Sequence, residues 1–144
     1  MGVSFAQLRS EVATNVGALT GFHLAKMAPE YFGRQQNTVA HKSFAVGVDQ
    51  STAGPDRQRR AVGVYAQTNV LVTFAHRLRP LDVYPTDYDT TLNVEQTVIN
   101  AVLGTYSTNN AFTIRYNGTT RSVVDSQEYM IVACTFTALH TIAP

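Results

Sequence analysis

Apolar residues near the start of the chain fall at Phe5, Leu8, Val12 and Val16, steps of three or four that trace one face of a helix. Ser4 stands where an N-cap belongs and Gly17 where such a helix ends. From Thr20 to Asn37 the period dissolves, because Gly21, Pro29 and Gly33 interrupt Phe22, Leu24, Met27, Tyr31 and Phe32; a short strand followed by a loop is expected. Phe44, Val46 and Val48 alternate with Ala45 and Gly47, which predicts a strand. The twelve polar or small residues after it, DQSTAGPDRQRR, predict a long exposed loop.

Period-two alternation returns in AVGVYAQTNVLVTFAHR, residues 61–77, through Val62, Val64, Val70, Val72 and Phe74, so one or two long strands follow the loop. Tyr84-Pro85 stops that segment. Thr86 is placed to cap a helix whose first turn holds Asp87 and Asp89, where the positive end of the helix dipole favours anions. Tyr88, Leu92, Val98, Ile99, Val102 and Leu103 form its apolar face, broken only at Glu95, and Gly104 is expected to close it. Phe112, Ile114 and Tyr116 alternate into Asn117-Gly118, a strong hairpin signal, with a return through Arg121, Val123 and Val124. The last strand, YMIVACTFTAL (Tyr129–Leu139), is nearly continuous in apolar character and predicts a central strand covered on both faces.

Runs of strands separated by two helices, without strict alternation, predict an α+β fold: a largely antiparallel β-sheet flanked by two α-helices, with a long polar loop between two strands. At 144 residues the chain fits one domain spanning residues 1–144, long enough to bury about 70% of its unfolded surface without a metal or disulfide. The composition is 44% hydrophobic and 15% charged, too apolar for disorder and less charged than the roughly 25% usual for soluble domains, which hints at burial against partners. Cys134 is the only cysteine, so an intramolecular disulfide is impossible, which suits a reducing compartment. MGVSFAQLRSEV has no basic region followed by an apolar run, and no stretch reaches the ~20 apolar residues of a membrane span, so a soluble, unsecreted protein is expected.

No constellation for catalysis emerges, and no cofactor is implied. His23, His41, His76 and His140 show neither HxH nor HExxH spacing. Cys134 alternates between Val132 and Phe136 without a nearby cation to lower its pKa, which makes it a small core residue. Asp87 and Asp89, two apart on a helix, point to different faces and cannot act as an acid and base pair. Asn117-Gly118-Thr119 matches the glycosylation sequon, but a turn is the better reading.

Charge is the remaining signal. Between Gly54 and Arg79 lie Arg57, Arg59, Arg60, Arg77 and Arg79 against Asp56 alone, a balance of +4, while the remainder carries six basic and nine acidic residues, a balance of −3. Such a cluster is a solvated run, a nucleic-acid grip or a protein interface. Nucleic-acid binding calls for interleaved aromatics and a strongly basic chain, and the net charge here is only +1. The five arginines are therefore the candidate protein-interface residues.

The order of these parts resembles the tail terminator proteins of long-tailed bacteriophages. The resemblance rests on a long strand reading VLVTFAHRLRPLD (Val70–Asp82) and a helix reading DYDTTLNVEQTVINAVLG (Asp87–Gly104), acidic at its start and with Glu95 in its body. Closing strands with the apolar text IVACTFTAL complete it. It covers the chain from about Ser43 onward, while Thr20–Val39 matches no part of that pattern. It implies a structural virion protein without enzymatic activity, forming a homo-oligomeric ring, a hexamer in that family, at the head-proximal end of the tail. The ring ends tube polymerisation and joins the tail to the head. Its implied partners are other copies of itself, the tail tube protein and a head-completion or neck protein, with assembly in the host cytoplasm and DNA passing through the lumen without specific binding.

Three other readings stand beside it. One is another neck component such as a head-closure protein. A second is a small-ligand-binding or enzymatic domain with a pocket lined by Tyr65, Phe74, His76 and Tyr129. The third is a nucleic-acid-binding module using the Arg57–Arg60 loop.

Overall fold

The computed structural model describes residues 3–25, 40–53, 64–78, 84–105, 112–124 and 129–142. Its elements run α1 (Phe5–Gly17), β1 (His23–Leu24), β2 (Ser43–Ala53), β3 (Val64–Arg77), α2 (Tyr84–Leu103), β4 (Phe112–Val124) and β5 (Tyr129–Ile142). The fold is α+β: five strands in the order β1-β2-β3-β5-β4, every pairing antiparallel except β1 with β2.

α1 forms as its period predicts. The Ser4 side chain accepts a hydrogen bond from the Gln7 amide at 3.0 Å, satisfying one of the donors a helix start leaves open. Leu8, Val12 and Val16 are fully buried, each contributing about 2 kcal/mol by leaving water. Phe5 departs from the expected stripe: it stays 38% exposed and sets its ring against His140.

The helix leads through Gly21, whose φ of 80° suits a residue without Cβ, into the two residues of β1. β1 adds in parallel to the start of β2, with His23 opposite Ser43 and Leu24 opposite Phe44. Lys42, itself at φ 60°, holds this corner by donating its amide to the Ala75 carbonyl at 2.7 Å and its ammonium to Thr20 O at 3.3 Å.

β3 and β5 pair along their whole length, from Val64 opposite Ile142 to Arg77 opposite Tyr129. Alternation sends Val70, Val72 and Phe74 of β3, and Met130, Val132, Cys134, Phe136 and Ala138 of β5, to one face. Phe44 and Val46 of β2 join them, and both helices pack there: Leu8, Val12 and Val16 from α1, Val98 and Val102 from α2 belong to the same core. β5 is buried along this helix side and at both ends of the other side, where Tyr129, Ile131 and Thr137 are shielded. Thr135, in the middle of that other face, is exposed, so coverage of β5 is one-sided at its centre.

Three local expectations are corrected, and a fourth, Gly104 closing α2 after Leu103, holds in position. β2 does not end at Val48 but continues to Ala53, because Asp49 bulges out and pairing resumes with Gln50 opposite Asn69. Residues 49–53 of the expected loop are thereby strand, and its remainder from Gly54 to Arg60 lies outside the described residues. Asn117-Gly118 does not turn the chain: β4 runs straight through it, Tyr116 pairing with Phe136 and Gly118 with Thr135, so Asn117 is the extra residue of a second bulge. Gly118 sits there at φ 154°, which side-chain-bearing residues rarely adopt. α2 begins at Tyr84, so Thr86 lies inside its first turn rather than capping it. Gly104 follows the helix without a positive φ, its amide bonding back to Asn100 O at 2.9 Å as in a continuing turn.

Candidate interaction site

Of the five candidate arginines, Arg77 is described; Arg57, Arg59, Arg60 and Arg79 lie outside the described residues. Arg77 is the last residue of β3, exposed and opposite Tyr129, on the face of the sheet away from the helices. Its backbone is fixed from both sides. The amide donates to His41 Nδ1 at 3.0 Å, and the carbonyl lies 3.0 Å from His76 Nδ1.

β3 separates the two arginine groups. The loop carrying Arg57, Arg59 and Arg60 is anchored at Ala53 and Val64, at the opposite end of β3 from Arg77. At ~3.3 Å per residue, Val64 and Arg77 are about 43 Å apart along the strand. The candidate arginines therefore flank β3 in the sequence, and of them Arg77 is the one whose position is described.

Sequence reading missed three polar clusters on the helix side. The first joins α2 to β4. Glu95 is only 5% exposed and receives Arg121 Nε on Oε1 at 2.6 Å and Nη2 on Oε2 at 2.7 Å. The bulge makes this pairing possible. Tyr116 faces the helices before it, and the extra residue shifts alternation so that Thr119, Arg121 and Val123 face them after it. The hydrogen bond and charge of Glu95 hold the Arg121 guanidinium above its ordinary proton affinity. The signal for this pair was the lone acid in the apolar face of α2; the choice of Arg121 as partner required the bulge.

The second cluster runs Ser51 to Thr68 to His140. Ser51 Oγ and Thr68 Oγ1 are 3.0 Å apart, and Thr68 Oγ1 is 2.8 Å from His140 Nε2. Here too a bulge intervenes, since Asp49 shifts β2 so that Ser51 falls opposite Thr68. The third places the rings of His41 and His76 edge to face at 4.6 Å, with Thr91 Oγ1 of α2 2.8 Å from His76 Nδ1. Thr91 is buried where the sequence pointed to Leu92, so the inward stripe of α2 reads Thr91, Glu95, Val98 and Val102.

The suggested pocket does not assemble from its described members. Phe74 and His76 face the helices while Tyr129, opposite Arg77, lies on the other face; the side chain of Tyr65 lies outside the described residues. Cys134 is fully buried among apolar neighbours, and burial pushes its thiol up to about 11 against the opposing hydrogen bond from Thr119 at 3.7 Å. Asn117 of the sequon donates its side-chain amide to Thr137 Oγ1. Among the described residues no three His, Cys, Asp or Glu side chains are grouped to hold a metal, and no helix is long and apolar enough to cross a membrane. No family model matches the chain, and no curated protein matches it.

Proposed function

We propose that this protein is a structural component of a bacteriophage tail that forms a ring at the head-proximal end of the tail tube, ends tube polymerisation and offers a surface to the neck. The observation that carries the reading is the separation of charge along β3: a basic group at each end of a strand about 43 Å long, on a chain whose remainder is net acidic. A closed ring is a heterologous assembly, so each copy presents two different patches that meet complementary surfaces on its neighbours. A ring stacked on a tube needs a third. Basic groups at both ends of the long β2–β3 hairpin, with acids distributed over the rest, supply that complementarity. The order of strands and helices from Ser43 onward supports the same reading through its likeness to tail terminators.

In this account Arg57, Arg59 and Arg60 contact acidic surface on a neighbouring subunit or the tube, and Arg77 with Arg79 contacts a different partner surface. DNA crosses the lumen without being held, since tight phosphate binding would hinder passage. The test is polymerisation of the tail tube protein of the same phage with and without this chain, followed by electron microscopy. Capped tubes of restricted length with a ring at one end support the proposal. Unrestricted tubes with no added density at either end refute it.

A further inference from the structure

We propose that His140 is a proton-operated latch for the segment leading into α1: neutral, it holds Val3–Phe5 against the end of β5, and on taking up a proton it releases that segment. This inference is independent of the assembly reading. Three contacts dock the segment: the Val3 amide donates to Thr141 O at 2.8 Å, the Val3 side chain is fully buried, and the Phe5 ring meets the His140 ring at 5.7 Å, nearly perpendicular. The hydrogen bond and the ring contact fall on Thr141 and His140 themselves.

The ring has one satisfied nitrogen and one that is not. Nε2 lies 2.8 Å from Thr68 Oγ1, while Nδ1, buried with a residue only 1% exposed, has no partner in hydrogen-bonding geometry. A neutral imidazole fits this site with its proton on Nε2, donated to Thr68, and an unbonded lone pair on Nδ1. The imidazolium needs two acceptors. The Thr141 carbonyl accepts the Val3 amide, and the backbone of both residues only weakly favours the charged ring. Because Nδ1 has no partner where it is buried, a proton added there is stranded away from water until the segment lifts and exposes the ring.

Among the described residues no charge offsets the cost. The ring is flanked in register by Ala66 of β3 and Phe112 of β4, meets Phe5 of α1, and reaches Ser51 of β2 through Thr68. Arg9 and Glu11, the ionisable residues of α1, exert no influence on its proton affinity, which burial lowers against the weaker pull of the two backbone groups.

Hydrogen exchange of wild type and His140→Gln, corrected for intrinsic rates, tests the latch between about pH 7.5 and about pH 5, the range histidine spans. Protection of the Val3 and Leu8 amides is expected to be lost progressively in wild type and to stay constant in His140→Gln; amides of α2 stay protected in both. Equal loss in both proteins, or no loss in wild type, overturns the proposal. If His140→Gln does not fold, the His140 ring titration in wild type, followed by NMR, takes its place. Its midpoint must coincide with the loss of Val3 protection, and a separation of the two overturns the latch.

Discussion

Arg121 closes a two-point grip on Glu95 across the contact between α2 and β4, at 2.6 and 2.7 Å, with the glutamate side chain buried and the arginine side chain 40% exposed. Such forked pairing fixes direction as well as distance, so it sets how α2 lies over the edge strand. Removing the arginine strands a buried carboxylate, the costly way to break a pair. Arg121→Ala is expected to lose about 3 kcal/mol in urea unfolding, at the low end of the range for buried pairs because the guanidinium remains partly solvated. The double variant Glu95→Leu, Arg121→Leu is expected to recover most of that loss. A double-mutant cycle with no coupling between the two positions contradicts the account.

The bulge at Asn117 absorbs one extra residue and keeps Arg121 opposite Val132, so deleting Asn117 should straighten β4 and leave every later residue on its present face. In that variant the Glu95→Leu substitution is expected to keep its energetic dependence on Arg121. Gly118→Ala, at φ 154° with open space around the site, tests the backbone alone and should cost about 1 kcal/mol through strain, with no clash to add to it. Loss of coupling in the deletion variant contradicts the assignment of Asn117 as the extra residue.

Cys134 should behave as packing. With its thiol pushed from 9.0 up to about 11 by burial, its thiolate population at pH 8 is about a hundredfold below that of the unfolded chain. Alkylation is expected to be at least that much slower in the native protein than in denaturant. Rapid modification without unfolding contradicts the buried placement.

Stability should fall on mild acidification. The His140 proton affinity lies below the ordinary 6.5 in the folded state because of burial, so the unfolded chain takes up the proton first. The contribution is complete above 6.5 and is lost as the pH drops from there towards the lowered folded value. His140→Gln is expected to flatten this part of the stability profile. A wild-type profile flat between about pH 7 and about pH 5 contradicts it.

Much of the fold was legible because its periods are clean. Leu8, Val12 and Val16 announce α1, and the alternation of Val70, Val72 and Phe74 announces β3. What was not legible came from single inserted residues. Asn117-Gly118 is the usual signature of a tight turn, and pairing with a long β5 is what makes it a bulge instead; the hairpin signal is local while the pairing is not. Asp49 misled in the same way, reading as the start of a loop although β3 offers partners through Ala66. Both bulges then choose which polar side chains reach the helix side, Ser51 in one case and Arg121 in the other. The arginine cluster was visible as charge in sequence, but its division between two ends of one strand depends on β3 being a single unbroken element.

That division makes the assembly claim directly measurable by light scattering of the purified protein, alone and mixed with tail tubes of the same phage. Wild type is predicted to show either a defined ring mass in solution or a monomer that assembles on tubes. Arg57→Glu, Arg59→Glu, Arg60→Glu and, separately, Arg77→Glu, Arg79→Glu should each abolish one contact while leaving the monomer folded. A wild-type mass that stays monomeric in the presence of tubes, or charge-reversed variants that assemble as well as wild type, contradicts the central claim.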